Sequence, residues 1–217
     1  MNSLKRKIKL LKVDTGTNPL EEKTFSKSPF VQFEKWINDA FNYGIAEPNA
    51  MTLATSDKNG WPDARIVLLR DYNSKGFSFF TNYLSIKGKE IRHNKKVCLN
   101  FYWPGPVRQI RIKGTVGKVS ERASNDYFNS RPRESQISAW ASYQSEKLSS
   151  LSELMERYSA YELKFKGKKV ERPPHWGGFI LSPVYLEFWQ GQANRLHNRI
   201  IYEKSKQGKW IMGRLNP

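Results

Sequence analysis

Cysteine is almost absent from this chain: Cys98 is the only one in 217 residues. One thiol excludes an internal disulfide and any thiolate-rich zinc site within one chain. Cys98 sits in the apolar run Val97-Cys98-Leu99 and reads as a buried, inert thiol. Histidine is nearly as scarce. His93, His175 and His197 are scattered, so no metal site is expected. Long apolar runs are missing too, since none approaches the roughly 18 residues that a membrane helix needs. The basic start, Met1 to Lys12, lacks the apolar core of a secretory signal, which makes the cytoplasm the simplest compartment. Acidic residues are few: 20 stand against 37 Lys+Arg, a formal charge of +17. Such a charge favours anionic partners, whether phosphates, nucleic acid or a membrane surface.

Aromatic residues, in contrast, are plentiful at 13%, enough to fill a core and still face a ring-shaped ligand. The densest chemistry lies between Glu187 and Arg199. Tyr185, Glu187 and Trp189 alternate with Leu186 and Phe188 at strand period. Gly191 to Asn194 is turn chemistry, and Ile200-Ile201-Tyr202 reads as the next strand. On that second limb Arg195, His197 and Arg199 are expected on one face, because side chains alternate along a strand. Two guanidiniums, an imidazole and an indole suit a planar anionic ligand. The same residues would also serve as a solvated basic edge strand around a core tryptophan.

Residues 1–25 read as a flexible basic arm and 26–217 as a single domain. Ser28, Pro29 and the stripe Phe30, Phe33, Ile37, Ala40, Phe41 predict a helix ended by Gly44. Strands follow at Met51–Thr55, Ala64–Arg70 and Phe77–Thr81, with the turn Asp57-Lys58-Asn59-Gly60 between the first two. Three strands so close together indicate an antiparallel meander or barrel. Ser85–Asn94 reads as a short helix with Lys87 near its start, where a lysine opposes the helix dipole unless an anion docks there. Lys96–Trp103 and Val107–Val119 are further strands, the second carrying Gln109, Arg111 and Lys113 on one face. Helices are expected from Ser120 towards Asn129, over Gln136–Ser142 and over Leu148–Phe165. Tyr127, Arg131 and Ser135 supply a phenol, a guanidinium and a hydroxyl, groups that suit a phosphate, although Pro132 interrupts the helical register between them.

Several short motifs share a common likeness. Arg65-Ile66-Val67-Leu68-Leu69-Arg70, Ser130-Arg131-Pro132-Arg133-Glu134-Ser135-Gln136, Pro174-His175-Trp176-Gly177-Gly178-Phe179, Glu187-Phe188-Trp189-Gln190-Gly191, Arg195-Leu196-His197 and the ending Arg214-Leu215-Asn216-Pro217 resemble the pyridoxine/pyridoxamine 5′-phosphate oxidase family. The likeness runs in order from about Glu47 to the C-terminus. It implies a mainly β, α+β fold: an antiparallel split β-barrel with flanking helices. It also implies a homodimer with FMN at the subunit interface. The implied reaction is oxidation of pyridoxamine or pyridoxine 5′-phosphate to pyridoxal 5′-phosphate, with O₂ reduced to H₂O₂.

By matched position, the resemblance assigns FMN contacts to Arg65, Ile66, Val67, Leu68, Leu69, Arg70, Phe80, Thr81, Lys87, Gln109, Gln144, Ser145, Trp189 and Arg199. Arg65 and Lys87 take the flavin phosphate. Substrate contacts fall to Arg70, Tyr127, Arg131, Ser135, Arg195, Leu196 and His197, with Arg195 and His197 also as the catalytic pair. The chain departs from the family pattern at Arg70 (often lysine), Phe80 (often tyrosine) and Ile86 (often arginine). Two other readings start from the same residues. A flavin reductase would keep the barrel and FMN but lack the B6 substrate. A basic nucleic-acid-binding protein would explain the charge, but no nucleic-acid motif is present, so nucleic acid is not an expected partner.

Overall fold

The computed structural model describes residues 20–217. The expected basic arm therefore lies largely outside the described residues. Its last part is not free: Phe25 is buried, and Glu22–Thr24 form a 3-10 turn. The described residues gather into two compact units, one of residues 20–48, 102–110 and 186–217, the other of residues 49–101 and 111–185.

The larger unit is built on strands β1 (Ala50–Ser56), β2 (Pro62–Leu68), β3 (Asp71–Asn73) and β4 (Gly76–Asn82), with parts of β5 (Lys96–Trp103), β6 (Arg108–Lys118) and β7 (Trp176–Gln190). Their order is β2-β1-β5-β6-β7-β4-β3. β1 pairs antiparallel with β2 from Ala50 opposite Leu68 to Ser56 opposite Pro62, and β4 pairs antiparallel with β7. The β1–β2 turn holds because Asp57 Oδ1 accepts from the backbone N–H groups of Asn59 and Trp61, while Gly60 takes φ +85°, a left-handed conformation that favours glycine. Burial alternates along β1, with Met51, Leu53 and Thr55 inward. Along β5 the same alternation sends Val97 and Leu99 inward, which leaves Cys98 half-buried and not buried as its apolar neighbours suggested.

Four helices belong to this unit: α2 (Ile86–His93), α3 (Glu121–Ser130), α4 (Arg133–Ala141) and α5 (Leu151–Lys164), following α1 (Pro29–Asn42) of the smaller unit. Ser85 caps α2 by accepting from Gly88 N, and Ser120 caps α3 through Ala123 N. Pro132, read as a break, is the N-cap residue of α4, so that helix starts before Gln136. α5 starts at Leu151, later than the expected Leu148. It buries no residue completely, but Tyr158 and Tyr161 pack on a second core of Phe128, Ile137, Phe165, Val170 and Trp176. No helix among the described residues is long and apolar enough to cross a membrane.

In the smaller unit α1 buries Phe33, Trp36, Ile37 and Ala40, and Trp36 meets Phe188 edge-on at 5.1 Å. Ser28 makes no side-chain cap, and Phe41, read as part of the buried stripe, is 57% exposed. β8 (Asn198–Lys204) and β9 (Trp210–Arg214) form the last antiparallel hairpin. The limb between β7 and β8 corrects the strand reading. Ala193–Arg195 is a 3-10 turn in which Asn194 and Arg195 take φ 56° and 61°. Strand alternation starts only at Asn198, so Arg195 and His197 do not share a strand face with Arg199.

Candidate active site

A cavity of about 380 Å³ opens in the larger unit, within the range of small-molecule sites. β2 contributes Ile66, Val67 and Leu68 to its wall, and Arg70 follows directly after the strand. β4 contributes Phe80, Thr81 and Asn82, α2 contributes Lys87, and α3 with its following turn contributes Tyr127 and Arg131.

Lys87 lies here because Ser85 starts α2 and Gly88 lets the helix press against the preceding chain. A Cβ at Gly88 would stand 2.3 Å from the Tyr83 carbonyl oxygen. Lys87 Nζ donates to Gln144 Oε1 at 3.1 Å, and Thr81 Oγ1 reaches the same oxygen at 3.3 Å. Burial, and then the nearby Arg65 charge, hold the Lys87 ammonium below its ordinary pKa. The Asp63 and Glu90 carboxylates, both paired with Arg65, oppose that lowering.

The aromatic side of the cavity is a cluster of three near-parallel rings, in which Tyr127 and Trp176 are 6.1 Å apart. Phe80 lies 4.0 Å from Tyr127 and 5.6 Å from Trp176, centroid to centroid. Guanidiniums lie against two of these rings: Arg131 sits 4.7 Å from the Trp176 centroid and Arg70 sits 5.7 Å from that of Tyr127. Burial lowers the Arg131 pKa first of all, and Arg70 adds to the lowering. Arg131 Nη1 is buried without a hydrogen-bond partner. Such a charged donor is costly unless a ligand completes it.

The remaining expected residues are placed as follows. Arg65 interacts with Lys87 but does not itself line the cavity. Leu69 is buried, with its N–H on the Asn49 carbonyl. Ser145, beside the lining Gln144, takes φ 73°, a strained conformation for serine. Ser135, in the first turn of α4, is not among the lining residues, whereas Ser138 and Ser142 are. In the smaller unit, the Trp189 and His197 rings are 4.8 Å apart and Gln192 N–H donates to His197 Nδ1 at 3.1 Å. Arg199 Nε donates to the buried Glu187 at 2.8 Å. Gln109 is half-buried on β6, and Arg195 and Leu196 are exposed. Residue types alone missed Asn82, Ser138, Ala139, Ser142 and Trp176. Only Trp176 carried a signal, an aromatic set against two glycines.

Comparison with known proteins settles the lineage. Residues 37–167 match the pyridoxamine 5′-phosphate oxidase family model, and residues 176–217 match the pyridoxine 5′-phosphate oxidase C-terminal dimerisation region. The chain belongs to the pyridoxamine 5′-phosphate oxidase family. Within that family, a pyridoxine/pyridoxamine 5′-phosphate oxidase of Microcystis aeruginosa is 47% identical, over 95% of this chain and 97% of its own. Another, from Colwellia psychrerythraea, is 49% identical over 92% and 91%. Among solved structures, PhzG from Burkholderia lata, in complex with tetrahydrophenazine-1-carboxylic acid, superposes with a TM-score of 0.86 at 26% identity, covering 93% of this chain and 99% of that one. An FMN-binding protein from Nostoc punctiforme, 18% identical over 88% of this chain and 99% of its own, shares the fold with a TM-score of 0.71. The fold is thus the antiparallel split barrel with flanking helices, and the chain is an oxidoreductase of this family.

The residues present fit a flavin phosphate. Lys87 presents an ammonium to the cavity, Arg65 lies close enough for its charge to act on Lys87 while it is paired with Asp63 and Glu90, and the neighbouring wall offers apolar side chains and Thr81 to a planar ring. A separate guanidinium, Arg131, is left over for a second anion. No group of histidine, cysteine and carboxylate ligands able to hold a metal occurs among the described residues.

Proposed function

We propose that this protein is an FMN-dependent oxidase that converts pyridoxamine 5′-phosphate or pyridoxine 5′-phosphate to pyridoxal 5′-phosphate, acting as a cytoplasmic homodimer with FMN at the subunit interface. The observation that carries the reading is the buried, unpartnered Nη1 of Arg131 beside Tyr127, in the same cavity as Lys87. A substrate phosphate would satisfy Arg131, while Lys87 and Arg65 hold the flavin phosphate. The relatives' names, and the FMN named for the Nostoc punctiforme structure, support the choice of these two ligands.

FMN held by Lys87 and Arg65 would supply two-electron redox chemistry with O₂ as the final acceptor: the amine, with water and O₂, would give aldehyde, ammonia and H₂O₂, and the alcohol, with O₂, would give aldehyde and H₂O₂. The protein's own share is placement. Tyr127 and Arg131 bind the phosphate and fix one end of the substrate, whereas Ser135, outside the cavity lining, has no contact with it in this arrangement. Gln109, Gln144, Ser145, Trp189 and Arg199 contact the flavin. Arg195 and His197 hold the pyridine ring, a proximity effect. Because His197 Nδ1 accepts from Gln192 N–H, a neutral ring carries its proton on Nε2. That tautomer presents a donor to the substrate and not a base, so His197 orients the ring more than it removes a proton.

The test is an absorption spectrum of the purified protein before and after anaerobic addition of pyridoxamine 5′-phosphate. A flavin spectrum that bleaches, then returns with air as pyridoxal 5′-phosphate forms, is the expected result. A bound flavin that stays oxidised would move the substrate elsewhere; the PhzG likeness, from a protein solved with a tricyclic carboxylic acid, favours a different cyclic substrate in that case. Failure to bind FMN at all would overturn the reading.

A further inference from the structure

Glu90 is a buried carboxylate to which the reaction above gives no task. It lies on α2, on the turn after Lys87, with its side chain 9% exposed. A carboxylate this deep is costly unless it is paired. Its Oε2 accepts from Thr55 Oγ1 at 2.6 Å and from Arg65 Nη2 at 3.0 Å. Thr55 in turn accepts from Arg65 Nη1, and the Leu53 carbonyl accepts from the same nitrogen at 3.3 Å. The Arg65 guanidinium is therefore gripped by β1 and α2 together. A fourth partner, Asp63, takes a hydrogen from Nη2, but its side chain is 47% exposed. These four acceptors account for the four hydrogens on the two terminal nitrogens of Arg65. A phosphate that engages those nitrogens must displace one acceptor, and the solvated Asp63 is the least costly to move.

We propose that Glu90 is the positioning residue of the flavin-phosphate site: with Thr55 it fixes the Arg65 guanidinium against which the phosphate docks, while Asp63 is the exchangeable partner that the phosphate replaces. This inference rests on the FMN reading given above. Charge and position make opposite demands here, and that separates them. Glu90 and Asp63 place negative charge on the same nitrogen. If charge alone mattered, removing either would draw a phosphate in more tightly. If Glu90 acts by position, its removal loosens the site although a repelling charge has gone.

The experiment uses the full-length protein stripped of flavin and titrated with FMN and with riboflavin, following the flavin fluorescence. The ratio of the riboflavin Kd to the FMN Kd isolates the share of the phosphate, which damage to the ring pocket alone would not move. Glu90→Ala is expected to lower that ratio about tenfold, and Glu90→Gln by less, since a neutral amide keeps a weaker version of the same hydrogen bonds. Asp63→Asn is expected to leave the ratio unchanged or raise it. Adding Glu90→Ala to Arg65→Ala should lower the ratio no further, because the group it positions has gone. The proposal is overturned if Glu90→Gln and Asp63→Asn shift the ratio the same way, or if Glu90→Gln weakens both ligands equally. Should Glu90→Ala fail to fold, Glu90→Gln still decides. A wild-type protein that binds no FMN overturns the function proposed above together with this inference; a wild-type protein that binds FMN with a ratio insensitive to Glu90 overturns this inference alone.

Discussion

Arg131 concentrates the site's chemistry in one side chain. Its guanidinium rests on Trp176, its charge is disfavoured by burial, and one terminal nitrogen lacks a partner. A lysine in its place keeps the charge but neither the planar stacking nor the fork. Arg131→Lys is therefore expected to raise the KM for pyridoxamine 5′-phosphate by about tenfold or more, the scale of one lost charged hydrogen bond. Steady-state kinetics should show kcat changing less than KM. Arg195→Ala, which removes a residue held at φ 61°, should lower kcat and kcat/KM together if the guanidinium acts on the ring in the transition state. Lys87 yields a pH prediction. Its pKa is lowered below the usual 10.5 by burial and by Arg65. A bound phosphate favours the ammonium, so FMN affinity should fall as pH rises through that lowered pKa. The flavin-free protein has the opposite slope: in the same window the unfolded chain still holds the proton that the folded one has shed, so stability rises with pH. Fluorescence titration and denaturant unfolding at several alkaline pH values check the two signs. How much of this was legible differs by residue. Lys87 stood out because a lysine in a first helical turn is electrostatically awkward. Trp176 belongs to a quoted motif, but its stacking against Phe80 depends on two strands far apart in sequence, which spacing cannot show.

α2 is the element that carries Lys87 into the cavity wall. Its start was readable, because Ser85 is a good capping residue and Gly88 N–H does donate to its hydroxyl. Ser85→Ala should cost about 1 kcal/mol of stability, the usual worth of an N-cap. Gly88 is required for a different reason, the 2.3 Å approach of any Cβ to the Tyr83 carbonyl. Gly88→Ala should destabilise by about 1–3 kcal/mol, the cost of overpacking, and weaken FMN binding as Lys87 shifts. Chemical denaturation and flavin titration of the two variants separate a lost cap from a displaced helix. Other elements were misread for identifiable reasons. Asp71–Asn73 is too short and too polar to show a period. The limb before β8 looked alternating, but left-handed backbone at Asn194 and Arg195 turns it, and an arginine gives no warning of positive φ.

At the scale of the whole molecule, the matched C-terminal dimerisation region includes β8, β9 and all of β7. Sedimentation should return about twice the chain mass of 25.3 kDa. The net charge of +17 should also speed capture of phosphorylated substrates, so kcat/KM is expected to fall with ionic strength while kcat stays nearly constant. Stopped-flow or steady-state rates across a salt series test this.

The sequence alone determined the alternation of strands and helices, the exclusion of an internal disulfide and of a thiolate-rich zinc site within one chain, and the ordered motifs that mark the family. These are properties of neighbouring residues, and periodicity and spacing record them directly. Only the tertiary structure decided that Phe80, Tyr127 and Trp176 stack, that Arg131 keeps a buried donor free, that Ser138 and Ser142 line the cavity and Ser135 does not, and that Glu90 and Thr55 grip Arg65. Those facts depend on which strand pairs with which and on how far each helix turns before it stops. Such long-range pairing is fixed by the burial of side chains distant in the chain, and no local pattern encodes it.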